Sequence, residues 1–235
     1  MKTGNKYSFY TFYAMLFFLT ICVSTAQAQL AIDRIIIDFT PDKPPREDVR
    51  LVNTSTTETL YIKVAVVEVK NPGFENEKRT TASDPFEVGL LASPNKLVLP
   101  PGAQNLVRLV NIQPPGKQDR IFRVDFSPVV GELEASENGV KMMVGYEALV
   151  IVRPDSPKAN IQYTREKNTI RLNNKGNTNT FVDRIVYCEN EEKDSCEFIA
   201  GDRLYAGNSW EIELPGEGEV SFNLFDGEKT ITGGL

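Results

Sequence analysis

The residue types that most often carry catalysis are missing or scattered in this chain of 235 residues. It contains no histidine, which removes the commonest general base near neutral pH and the commonest metal ligand. Ser-His-Asp hydrolysis, Cys-His hydrolysis and histidine-bound zinc are therefore excluded. Paired carboxylates can do glycoside chemistry, but the densest acidic group, Glu189, Glu191 and Glu192, lies in a polar stretch that reads as a solvated loop. No spacing points to a metal or any other cofactor, and the reading is that the chain is not an enzyme. Tyr163, Tyr187, Tyr205 and Trp210 could make an aromatic platform for a glycan, with core packing as the competing role for each. What remains reactive is the set of three cysteines, Cys22, Cys188 and Cys196.

The N-terminus decides how those thiols are read. Lys2 and Lys6 precede an apolar run from Tyr7 to Val23, which closes in Ser24-Thr25-Ala26-Gln27-Ala28. Charged, then apolar, then small is the order of a secretory signal peptide, with cleavage expected after Ala28. A retained membrane anchor is the alternative, because the run is near the lower length limit for a spanning helix. On the first reading the chain is exported, has no stable membrane insertion and loses Cys22 with the signal. Cys188 and Cys196 are then an even pair in an oxidising compartment, which predicts a disulfide; two reduced, separately buried thiols are the alternative. The net charge of −6 and pI near 5.0 argue against nucleic acid as a partner, since that affinity rests on clustered Lys and Arg.

The elements that position these residues are strands. Leu60–Val69, Asn105–Val110 and Arg120–Phe126 alternate with period two, are rich in β-branched and aromatic residues, and are bounded by Pro, Gly or Asn. Turn signals recur at sandwich spacing, which predicts about seven strands between Leu30 and Arg153 in an immunoglobulin-like domain. The charged stretch Asn71–Asp84 reads as an inter-strand loop, and the best short helix candidate is Phe86–Leu91. Pro154-Asp155-Ser156-Pro157 interrupts the ladder pattern. The expected organisation is therefore a signal peptide over 1–28, an Ig-like domain over 29–154 and a smaller β-sandwich over 155–235, joined at a proline hinge. Fresh alternating runs at Asn168–Asn173, Phe181–Cys188, Cys196–Ile199, Trp210–Leu214 and Glu219–Phe225 fill the second domain.

The segment Gly139–Arg153 reads as one unusually long strand. Val140, Met142, Val144 and Tyr146 share a face, while Lys141, Met143, Gly145 and Glu147 share the other. One explanation is a last strand buried along its length. The other is an edge half covered by a partner, because a long apolar edge strand is otherwise a liability.

At this point the sequence resembles the periplasmic pilus chaperones of the chaperone-usher pathway, in a divergent form. The carrying stretches are Ala31-Ile32-Asp33-Arg34, Val49–Asn53, Ser93–Arg108 with its Pro-Pro-Gly turn, Phe122–Pro128 and Val152-Arg153-Pro154. The resemblance implies a binding protein that holds fimbrial subunits by donor-strand complementation and delivers them to an outer-membrane usher. By position before the hinge, the lent residues are Val140, Met142 and Val144, with Tyr146 next on the same face. Well-studied members anchor the subunit's C-terminal carboxylate with a cation on the first strand and another on the last. Here those positions are Ile36 and Leu149, so the pair is missing or moved, and Arg34, Arg153 and Arg123 are the substitutes. The competing function is an exported two-domain β-sandwich adhesin or surface-binding structural protein.

Overall fold

The computed structural model describes residues 29–81, 84–130, 142–190, 195–225 and 230–234; the expected signal peptide, 1–28, lies outside them. The fold is all-β, two β-sandwiches in sequence. In the first, β1 (Leu30–Ile32), β3 (Arg46–Asn53), β8 (Gln104–Asn111) and β6 (Leu90–Ser93) form one sheet in the order β1-β3-β8-β6. The facing sheet runs β2 (Ile36–Phe39), β10 (Tyr146–Val152), β9 (Arg120–Val129), β4 (Leu60–Lys70) and β5 (Lys78–Thr81), with β7 (Lys96–Leu99) also paired to β4. In the second, β11 (Ile161–Glu166), β12 (Thr169–Asn174) and β16 (Ser209–Glu213) face a sheet of β14 (Cys196–Ile199), β13 (Thr180–Cys188), β17 (Glu219–Phe225) and β18 (Thr230–Gly234), with β15 (Asp202–Leu204) on β13.

Alternation explains the packing. Val49 and Leu51 of β3 and Val107 and Leu109 of β8 meet Val64 and Val66 of β4, Phe122, Val124 and Phe126 of β9, and Ala148, Val150 and Val152 of β10 in one buried cluster. Each such side chain contributes about 1.5 to 3 kcal/mol on burial. The second sandwich has its own core, including Ile170, Leu172, Val182, Ile185, Tyr187 and Phe222. A disulfide joins Cys188 to Cys196, register partners on β13 and β14.

The structure corrects four sequence expectations. Ten strands, not seven, lie between Leu30 and Val152 among the described residues. The extra ones arise where the chain changes sheets: β1 and β2 belong to different sheets, as do β6 and β7. The stretch Asn71–Asp84 is not all loop, because β5 pairs with the end of β4 from Val67↔Thr81 to Lys70↔Lys78; its charges masked a strand that is exposed throughout. The helix is α1 (Pro85–Val88), started by Asp84 accepting from the Phe86 N–H and ended by left-handed Gly89, so Leu90 already opens β6.

The fourth correction concerns Gly139–Arg153. Among its described residues the strand is Tyr146–Val152, and Met142–Gly145 carry no ladder. Extending the β10–β9 register from Tyr146↔Phe126 brings Val144 opposite Pro128, which has no N–H to give. Val140 lies outside the described residues.

Candidate binding site

The site is built on β10. On one side this strand pairs with β9 along its whole length, Tyr146↔Phe126 to Val152↔Arg120. On the other, β2 covers only its C-terminal half, Leu149↔Ile36 to Val152↔Phe39. Tyr146, Glu147 and Ala148 therefore present an uncovered edge among the described residues, and Met142–Gly145 continue it. Met142 is 90% and Val144 52% exposed, and Ile35 and Ile36 stand exposed where β2 begins. Tyr146 differs from them: it packs against the core of the first sandwich. An open main-chain edge flanked by exposed apolar side chains is a template for a further strand.

The three arginines are not equivalent. Arg34 lies between β1 and β2, half exposed, and bonds Glu47 at 3.1 Å and Asp33 at 3.4 Å. Arg153 has a side chain only 2% exposed. Its Nε and Nη2 donate to the two carboxylate oxygens of Asp38 at 2.7 Å each, and its Nη1 donates to the Thr178 hydroxyl of the second sandwich at 2.5 Å. The Thr178 hydroxyl donates on to Asp119 at 2.9 Å, and the backbone and side-chain N–H of Asn179 donate to the same carboxylate at 2.5 and 2.6 Å. Arg203 caps the chain by donating to the Asn179 side-chain oxygen. Burial pushes the Asp119 carboxyl above its ordinary range, against these hydrogen bonds. Arg153 is thus committed to a polar clamp between the sandwiches.

Arg123 sits on the outer face of β9, between Ile121 and Asp125. Its register partner on β10 is Leu149, whose partner on β2 is Ile36. One cross-strand row therefore holds both apolar positions identified through the resemblance and puts a guanidinium on the next strand. The Arg123 side chain is a quarter exposed and lies 3.5 Å from Glu147, while its buried Nε has no hydrogen bond among the described residues. Tyr205 of the second sandwich packs on Val69, Ile121, Leu149 and Ile151 at the base of this face. Burial raises the Tyr205 phenol above its ordinary range, opposed by the charges of Arg123 and Arg203.

The aromatic platform does not assemble. Tyr187 is buried and Trp210 packs against the second core, Tyr163 makes an edge contact with Phe222 at 5.4 Å, and Tyr205 faces the first sandwich. Sequence reading also missed Arg79 and Asp125, neighbours of Glu147 through register and long reach rather than through any local motif.

Two sandwiches, a polar clamp between them and an open edge ahead of the clamp define a class. The protein has the fold of the chaperone-usher pilus chaperones. It is similar over 87% of its length, and 98% of the other chain, to the class 5 fimbriae chaperone CfaA, with 24% identity and a TM-score of 0.64. It is also similar over 90% of its length and 99% of the other chain to the SafB chaperone, solved in complex with the SafA pilin of Salmonella enterica, at 14% identity and a TM-score of 0.63. More particularly, residues 38–153 match the CS5 fimbrial protein N-terminal domain, and the chain is 24% identical over 171 residues to a CS1 fimbrial subunit of Escherichia coli, covering 68% of this chain and 71% of that one. No helix among the described residues is long and apolar enough to cross a membrane.

Proposed function

We propose that this protein is a periplasmic chaperone that binds fimbrial subunits by donor-strand complementation and passes them to an outer-membrane usher. The observation that carries the reading is the uncovered half of β10, continued by exposed Met142 and Val144. Main-chain groups of Tyr146–Ala148 and the segment before them pair with an incomplete subunit sandwich, and Val140, Met142 and Val144 fill successive pockets of its groove. Three such side chains contribute roughly 5 to 8 kcal/mol gross on burial, less the ordering cost of association. Tyr146 closes the row from the chaperone's own core side.

The subunit's terminal carboxylate is anchored by Arg123, whose row holds Ile36 and Leu149 and whose pairing with Glu147 is long at 3.5 Å, rather than by Arg153 or Arg34, which hold Asp38 at 2.7 Å and Glu47 at 3.1 Å. The domains divide at Pro154, as 29–154 and 155–235, after removal of residues 1–28. The pilin as partner class is carried over from the SafB complex, and the usher from the fold. The test is a photo-crosslinking residue placed at position 144 in protein co-expressed with an incomplete-sandwich fimbrial subunit, and in a second sample at 163. Crosslinking from 144 and not from 163 is expected. Equal crosslinking from both, or none from 144, contradicts strand donation.

A further inference from the structure

Sulfur is confined to a few places in this chain. Of its four methionines, Met1 and Met15 lie within the expected signal peptide, while Met142 and Met143 stand side by side ahead of β10. The two cysteines beyond that peptide, Cys188 and Cys196, are joined to one another. The thioethers of Met142 and Met143 are therefore the only reduced sulfur atoms of residues 29–235. Both fall in the segment that the proposed function lends to a subunit, and Met142 is the middle member of the row Val140, Met142 and Val144. The two differ in access. They border one small hollow over Leu30, Leu60 and Pro128, but Met142 is 90% exposed whereas Met143 is partly buried.

A valine or leucine at position 142 would also present an apolar side chain. Methionine adapts to an irregular pocket as they do, and it adds chemistry that they lack. A thioether needs no deprotonation to act as a nucleophile. Its sulfur lone pair attacks one oxygen of a peroxide, the S–O bond forms as the O–O bond breaks, and the second oxygen leaves as hydroxide. That hydroxide takes the proton of the bound oxygen and becomes water. Sulfur has then lost two electrons, the peroxide has gained them, and an apolar side chain has become a polar, chiral sulfoxide.

We propose that Met142 is an oxidation-sensitive modification site, at which a peroxide converts the thioether to the sulfoxide and switches off subunit capture. This rests on the strand-donation reading and adds a chemical control to it. On the free protein the sulfoxide stays in water, so the fold is indifferent to it. In a subunit groove the same oxygen is buried in an apolar pocket without a donor, which is unfavourable. No free thiol in residues 29–235 competes for the oxidant, because both cysteines are paired. A docked subunit covers Met142, so oxidation stops new capture and spares complexes already formed. Enzymes that reduce methionine sulfoxide with a thiol as electron donor restore the thioether, giving water and a disulfide.

The test uses the full exported protein, treated with hydrogen peroxide and then freed of it, and a fimbrial subunit unfolded in urea and diluted into the treated or untreated sample. Mass spectrometry should find one added oxygen on Met142 before Met143, and thermal melting should match the untreated protein. Capture should fall by roughly tenfold or more, the effect of burying one unpaired polar group. Met142→Leu, compared with its own untreated half, should lose nothing on treatment. In the preformed complex Met142 should be protected from peroxide. An equal loss of capture in treated Met142→Leu, a collapse of melting on oxidation, or oxidation of Met143 ahead of Met142 overturns the proposal. Undiminished capture by oxidised protein, with Met142 still protected in the complex, overturns the switch and leaves strand donation standing; oxidation of Met142 at equal rates in the free and loaded protein overturns both.

Discussion

Residues Met142–Gly145 and Tyr146–Val152 follow one another without a break and carry similar side chains, yet only the second stretch forms a ladder. Tyr146–Val152 have β9 on one side throughout and β2 on the other from Leu149 onward, and Ala148, Val150 and Val152 are buried in the core. Met142–Gly145 meet Pro128 where a donor is needed, and their apolar side chains face solvent. The difference shows that hydrophobicity does not make a strand unless a partner strand supplies its hydrogen bonds. Within one segment, the half with two neighbours is scaffold, and the half with an open edge is the part that the proposed function lends.

The comparison can be broken most severely at Val150. Val150→Asp puts a carboxylate where no solvent reaches, a penalty of several kcal/mol or more against a total domain stability of about 5–15 kcal/mol. Chemical denaturation should find this variant unfolded or barely folded; a near-normal midpoint would mean that the C-terminal half is not scaffold. Next in size is Asp38→Ala, which leaves the buried Arg153 guanidinium without its carboxylate. Breaking such a pair costs about 3–5 kcal/mol, and the loss should appear in urea unfolding, whereas Arg34→Ala, removing an exposed pair, should stay within about 1 kcal/mol. Equal losses in the two variants would erase the distinction drawn between sealed and exposed arginines.

The smallest effect concerns Asp125. Burial raises its carboxyl above the ordinary range, and the charge of Glu147 raises it further, while Arg79 opposes both. A carboxyl raised in the folded state contributes stability below its unfolded value, and that contribution is lost as pH rises through the folded value. In Glu147→Gln the Asp125 midpoint, followed by NMR of its carboxyl carbon, should fall but remain above the ordinary value, because burial persists. An unchanged midpoint would show that the two side chains do not sense each other.

Much of this was legible in the sequence, for identifiable reasons. Period-two alternation marked β4, β8 and β9 because each turns one face to the first core, although Val69 of β4 and Ile121 of β9 are buried on the other face beneath Tyr205. The prolines at 154 and 157 marked the end of a ladder, since neither can donate to one. Ile36 and Leu149, reached from separate stretches, prove to be register partners. What stayed hidden depends on pairing across distance. Nothing local tells that Asp38 meets Arg153 across 115 positions, that Arg79 reaches Glu147 across 68, or that the charged stretch before Thr81 finishes as a strand on β4. The sheet changes between β1 and β2 and between β6 and β7 were equally silent, because alternation reports a buried face without saying which sheet buries it.

The central claim is that the exposed half of the segment is lent to a partner, and Met142→Asp tests it most directly. Met142 is almost fully exposed, so the isolated variant should melt as wild type does, with a change within about 0.5 kcal/mol. In a subunit groove the same carboxylate would be buried without a partner, at a cost of several kcal/mol. Capture of a co-expressed fimbrial subunit should therefore be lost while melting is preserved; undiminished capture, or a melting transition that collapses with the substitution, would contradict the account.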